Sequence, residues 1–129
     1  MRLKGNHEKS LITVIKNLNT RVRIFHGVNA VYKIAPWFPA TSGFDSANSL
    51  SAVDSANLKR WGFNIVRLGV MWPGLEPNKR GEYDQSYLDS IEKIVKNLAA
   101  QDIYVILDMH QVFDFANTRT FYLILNTFD

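Results

Sequence analysis

Three apolar tracts start near residues 24, 64 and 103, about forty residues apart, with loops and helical periodicity between them. The last, Ile103-Tyr-Val-Ile-Leu-Asp-Met109, restricts the fold most. It runs uninterrupted up to Asp108, a pattern found in strands buried on both faces, and such strands belong to parallel sheets. Parallel neighbours need long crossovers, so the order strand, helix, strand, helix, strand predicts repeated right-handed βαβ units. With 129 residues, 47% of them apolar, the chain is long enough for one domain with its own core.

The helices between the tracts have local signals. Ser51 followed by Asp54 resembles a capping box, and Gly62 supplies a stop, so a short helix is expected with Val53, Ala56 and Trp61 to bury. Asp84 is placed to cap a second helix, in which Tyr87, Leu88, Ile91, Ile94, Val95 and Leu98 form one continuous stripe. Residues 34–49, with Pro36, Trp37, Pro39 and Gly43, are expected to form a long loop, and Pro73 to Tyr83 another. Residues 8–18 fit a helical stripe or one arm of a hairpin whose second arm is Arg21-Val-Arg-Ile-Phe25. Asn and Thr between the arms favour the hairpin.

Several function classes drop out on composition. No apolar run approaches the ~20 residues of a membrane span. The absence of cysteine excludes a disulfide framework and thiolate metal sites. The formal charge of +3 is concentrated before residue 36, yet Arg21 and Arg23 alternate with Val22 and Ile24 like the wet side of a strand. Nucleic acid is therefore not an expected partner. The basic N-terminus lacks a following apolar segment, so no signal peptide is visible and the compartment stays open.

Polar residues stand toward the C-terminal ends of all three tracts: Asn29, Arg67 and the Asp108/His110 pair. In barrels and open α/β sheets that end holds the chemistry. Alternation puts Asp108 and His110 on one face of their strand. Arg67 sits in the apolar stretch Phe63-Asn-Ile-Val-Arg-Leu-Gly-Val-Met-Trp72, where its charge faces either a polar cavity or a partner carboxylate. The competing reading is an edge strand with a snorkelling arginine.

Three blocks, Phe25-His-Gly-Val-Asn-Ala-Val-Tyr-Lys33, Trp61 to Pro77 and Tyr104-Val-Ile-Leu-Asp-Met-His-Gln111, resemble the first three strands of endoglycoceramidases of glycoside hydrolase family five. The resemblance implies that residues 21–111 are the N-terminal part, about three βα units, of a (β/α)8 TIM barrel. A hairpin that begins in residues 1–20 would precede it, and 112–129 would be a divergent tail. The implied reaction is retaining hydrolysis of the bond between oligosaccharide and ceramide in glycosphingolipids, carried by two glutamates about 5 Å apart.

Residue by residue, Arg67 matches the arginine that hydrogen-bonds the nucleophile, and His110 matches the histidine lining the sugar subsite beside the scissile bond. Lys33 matches a glycan-holding lysine. Asp108 and Gln111, in the same strand-three block, are expected to contact the substrate, with Asp108 alternatively orienting His110 or the backbone, and Trp72 offers either a ring face to a sugar or a packing surface. No metal or other cofactor is implied, since two-carboxylate hydrolysis needs none. The resemblance also places family members outside the cell or in acidic digestive compartments.

The family's two glutamates follow strands four and seven, and nothing here matches them; Glu76 and Glu82 stand where the family places no catalytic group. Val112 replaces an aspartate that contacts sugar hydroxyls in the family. The tail no longer resembles the family, as a truncated gene product would not. Two open sheet edges, poor solubility and no turnover are then expected of the isolated chain. The alternatives are a non-catalytic glycan- or glycolipid-binding remnant, or a small nucleotide-binding α/β domain. The latter wants a glycine-rich strand-to-helix turn, and the turns here are rich in Pro and Trp instead.

Overall fold

A computed structural model describes residues 24–110, together with the backbone of three short strands, Ile15–Lys16 (β1), Val22–Arg23 (β2) and Tyr122–Leu125 (β6). Between them run β3 (Gly27–Ala30), α1 (Ala52–Arg60), β4 (Ile65–Met71), α2 (Trp72–Leu75), α3 (Gln85–Ala99) and β5 (Tyr104–His110). Strands β3, β4 and β5 lie side by side in sequence order and are parallel, as two successive βαβ units require. The first tract enters the sheet only at Gly27, later than its apolar character suggests. Strands β1 and β2 pair antiparallel, with Ile15 opposite Arg23, which decides for the hairpin over the helix at those positions.

Residues that share a register point to the same side of the sheet. Val28, Val66 and Val105 align, as do Ala30, Leu68 and Leu107, and this face packs on the helices. The core beneath it holds Leu58 from α1 and Tyr87, Ile91, Ile94, Val95 and Leu98 from α3. Asp84 caps α3 by accepting a bond from the Tyr87 N–H at 3.1 Å. The stripe read from the sequence is the buried one, except that Leu88 lies at its exposed border.

Helix α1 buries a different face from the one expected. Ser55 and Leu58 are buried, whereas Val53 and Trp61 are 54% and 61% exposed, and Ala56 is exposed. Leu50 and Ser51 enter the core first, and the inward line then continues through Ser55 and Leu58 at helical spacing. Ser55 can be buried because its hydroxyl donates to the Ser51 carbonyl at 3.0 Å, and its small volume lets the helix lie close to the sheet. Asp54 accepts from the Ser51 N–H at 2.8 Å, which is one arm of the capping box.

Both long helices end alike. After α1, Gly62 N–H donates to Lys59 and Phe63 N–H to Leu58, with Gly62 at φ +87°. After α3, Asp102 and Ile103 make the same pair of bonds to Ala99 and Leu98, with Asp102 at φ 53°. Each left-handed residue turns the chain directly into the next strand, which gives β4 and β5 matching starting points.

The loop expected from Pro73 begins instead as α2, because Pro73 has the φ of a first helical turn. Of the two sheet edges expected to be open, that of β5 is paired: β6 runs antiparallel along it, with Ile124 opposite Ile106 and Tyr122 opposite Asp108. The apolar character of residues 121–125 suits them to that position. At the other end β3 is the outer strand, beside a groove of about 270 Å3 lined in part by Val28, Tyr32, Leu50, Leu58 and Trp61.

Candidate active site

The sheet face turned away from the helices carries Gly27 and Asn29 from β3, Ile65, Arg67, Gly69 and Met71 from β4, and Tyr104, Ile106, Asp108 and His110 from β5. The polar residues read from the three tracts thus meet on one surface. Asn29 is level with Arg67, and His110 is level with Met71 at the C-terminal end of the strands.

Asp108 is the centre of this surface. It is fully buried, and its Oδ2 accepts from Arg67 Nη2 at 2.5 Å and lies 2.7 Å from His110 Nδ1. The Arg67 and His110 side chains remain 29% and 25% exposed, so they screen the carboxylate from outside. The partner-carboxylate reading of Arg67 therefore describes the structure better than a snorkelling edge residue. The other oxygen, Asp108 Oδ1, is buried without a hydrogen-bond partner among the described residues. An unsatisfied buried acceptor costs about 1–3 kcal/mol, and such exceptions concentrate at functional sites. Gly69 lies beside Asp108 in register, and its lack of a side chain leaves room for Met71 and Val31. A Cβ there would come within 3.1 Å of Met71 Cε and 3.2 Å of a Val31 methyl.

The other residues singled out are spread around this cluster. Lys33 is exposed on the segment that leaves β3. Trp72 opens α2 and is partly buried against the helix-side core, with its neighbour Met71 on the opposite face. Gln111 falls outside the described residues. Glu82 pairs with Lys79 at 3.4 Å, both largely exposed. The His26 ring rests on the Phe63 ring at 4.7 Å, and the His26 backbone N–H donates to Asn64 Oδ1, a structural use of that residue. Among the described residues no three His, Cys, Asp or Glu side chains gather as a metal site would require, and no helix is long and apolar enough to cross a membrane.

Tyr87 holds the rim in place, and its part could not be read from sequence. Its hydroxyl accepts from the Met71 N–H at 2.8 Å and donates to the Trp37 carbonyl at 3.3 Å, tying α3 to the end of β4 and to the loop after β3. Burial raises its pKa above the ordinary tyrosine value. Trp37 sits at φ 72°, and its N–H donates to Ile34, so that loop takes a conformation few non-glycine residues adopt. Gly74 lets α2 approach closely, because a Cβ there would fall 2.3 Å from Tyr87 Cε2.

A parallel sheet with helices on one face and polar side chains gathered on the other is the arrangement of βα units in part of a barrel. The family model for cellulase, glycosyl hydrolase family 5, matches residues 27–122, and the chain belongs to that family. It is 46% identical over 91 residues to an endoglycoceramidase of Cyanea nozakii, a match that takes in 70% of this chain and 18% of the relative. An endoglycoceramidase I of Rhodococcus hoagii is 42% identical over 91 residues, covering 70% of this chain and 17% of the relative. The crystal structure of an endogalactoceramidase shares the fold with a TM-score of 0.50 and 24% identity, over 70% of this chain and 19% of that one. The chain thus spans less than a fifth of the length of these relatives, and what it holds is part of a (β/α)8 barrel.

Proposed function

We propose that this chain is the arginine- and histidine-bearing part of a retaining glycoside hydrolase that cleaves the bond between oligosaccharide and ceramide in glycosphingolipids. The observation that carries the reading is the Arg67–Asp108–His110 cluster on one sheet face, in which Asp108 and His110 stand at the carboxyl end of β5 and Arg67 reaches them from the first half of β4. The names of the two relatives supply the substrate class. In this reading Arg67, always charged and planar, hydrogen-bonds the nucleophilic glutamate and keeps it ionised. His110 lines the sugar subsite, and Lys33, with Gln111, holds the glycan. Trp72 contributes packing to the rim.

The two catalytic glutamates lie, by resemblance, after the fourth and seventh barrel strands. Turnover therefore needs those parts of the barrel. The test compares the purified chain with the chain co-expressed with the remaining barrel of the Cyanea nozakii relative, using a fluorescent lactosylceramide. No turnover by the chain alone, and turnover in the mixture that falls at least tenfold with Arg67→Lys, is the expected result. Turnover by the chain alone would overturn the support-only role. Saturable quenching of tryptophan fluorescence by lactose, with no hydrolysis in either arm, would favour a glycan-binding protein instead.

A further inference from the structure

The shared oxygen of Asp108 has a consequence for how His110 meets its ligand. We infer that Asp108 is a positioning residue: it fixes the neutral His110 ring as the Nδ1–H tautomer, so that Nε2 presents a bare lone pair on the open sheet face, and it sets the Arg67 guanidinium beside that ring. The assignment of Nε2 to a sugar hydroxyl rests on the glycosidase reading above; the tautomer itself does not.

An ion-paired carboxylate only accepts hydrogen bonds. Oδ2 already takes a donor from Arg67, and at 2.7 Å from Oδ2 the ring nitrogen Nδ1 must donate as well. With Nδ1 carrying the proton of the neutral ring, Nε2 has none. The bond Nε2 makes to a ligand then runs from ligand to protein, so the subsite selects a group with a proton to give, such as a sugar hydroxyl. An ether oxygen or a carbonyl at the same place would face lone pair to lone pair. Asp108 has no exposed surface of its own, so its effect on a ligand passes through its two partners. Because Arg67 and His110 converge on one oxygen, moving either disturbs the other. The pair therefore behaves as a single unit whose spacing is set by β4 and β5.

The experiment uses the full chain labelled with 15N-histidine and records long-range proton–nitrogen correlations above the imidazole titration range. The three histidines are told apart with His7→Gln and His26→Gln. The expected spectrum shows His110 with a protonated Nδ1 and an unprotonated Nε2. Asp108→Leu, which keeps the branched outline and removes the acceptor, should reverse the major tautomer. A wild-type ring protonated at Nε2 overturns the proposal without any variant. So does a folded Asp108→Leu chain whose His110 remains the Nδ1–H form. Where the leucine variant does not fold, the wild-type spectrum decides. Since no sugar is present, a failure here leaves the glycosidase reading standing, and absence of turnover in the complementation assay leaves this proposal standing.

Discussion

At the residue scale, the site is held by side chains that do two things at once. Tyr87 is counted in the apolar stripe of α3, yet its hydroxyl closes the end of β4 and anchors the loop at Trp37. Tyr87→Phe keeps the ring and leaves the Met71 N–H buried without its partner, which should cost about 1–3 kcal/mol in urea unfolding. The same pair of proteins reports on titration. Burial raises the Tyr87 pKa above 10.0, so folding favours the neutral phenol. That contribution is full below the unfolded value of 10.0 and is lost as pH rises through the higher folded one. The stability difference between wild type and Tyr87→Phe should accordingly hold at neutral pH and narrow as pH rises above 10.0. An unchanged difference would mean that the hydroxyl is not sequestered.

At the scale of elements, the matching ends of α1 and α3 set the register of the sheet and therefore the alignment of Arg67 with Asp108. Gly62 is required at φ +87° because a Cβ there is strained whatever space surrounds it. Gly62→Ala should lower stability by about 1–2 kcal/mol in chemical unfolding, the cost of a left-handed residue with a side chain. Capping signals, the α3 stripe and the stop at Gly62 were legible because each depends on residues within a few positions, whereas the left-handed turn at Asp102 carries no glycine to announce it. The inward face of α1 was not: Ser51 and Ser55 are polar in composition but are buried with their hydroxyls satisfied, so apolar periodicity pointed to the exposed Val53 and Trp61 instead.

At the scale of the whole molecule, surface remains that three βα units cannot cover. Ile24, Ile34, Phe44, Val53 and Trp61 are all more than half exposed, and β3 is the outer strand of its sheet. Exposed apolar groups beside a strand edge favour association. Sedimentation of the purified chain should therefore show concentration-dependent assembly, reduced by Trp61→Glu. Ile124→Pro should increase it, because proline disrupts the strand that covers the β5 edge. A monomer at every concentration in all three proteins would contradict this. The pairing of β6 with β5 is also the main departure from the arrangement expected of the tail, since an apolar segment takes whichever edge its connection can reach.

The sequence by itself determined the parallel α/β architecture, the order of β3, α1, β4, α3 and β5, and which of those strands bear charge. Period, caps and doubly apolar tracts are local properties that survive without knowledge of the fold. Only the tertiary structure decided what those charges do. Register brings Arg67 and His110, forty-three positions apart, onto one oxygen of Asp108, and it brings Tyr87 to the backbone of Met71. Such contacts depend on distances between strands and helices that no short-range pattern encodes.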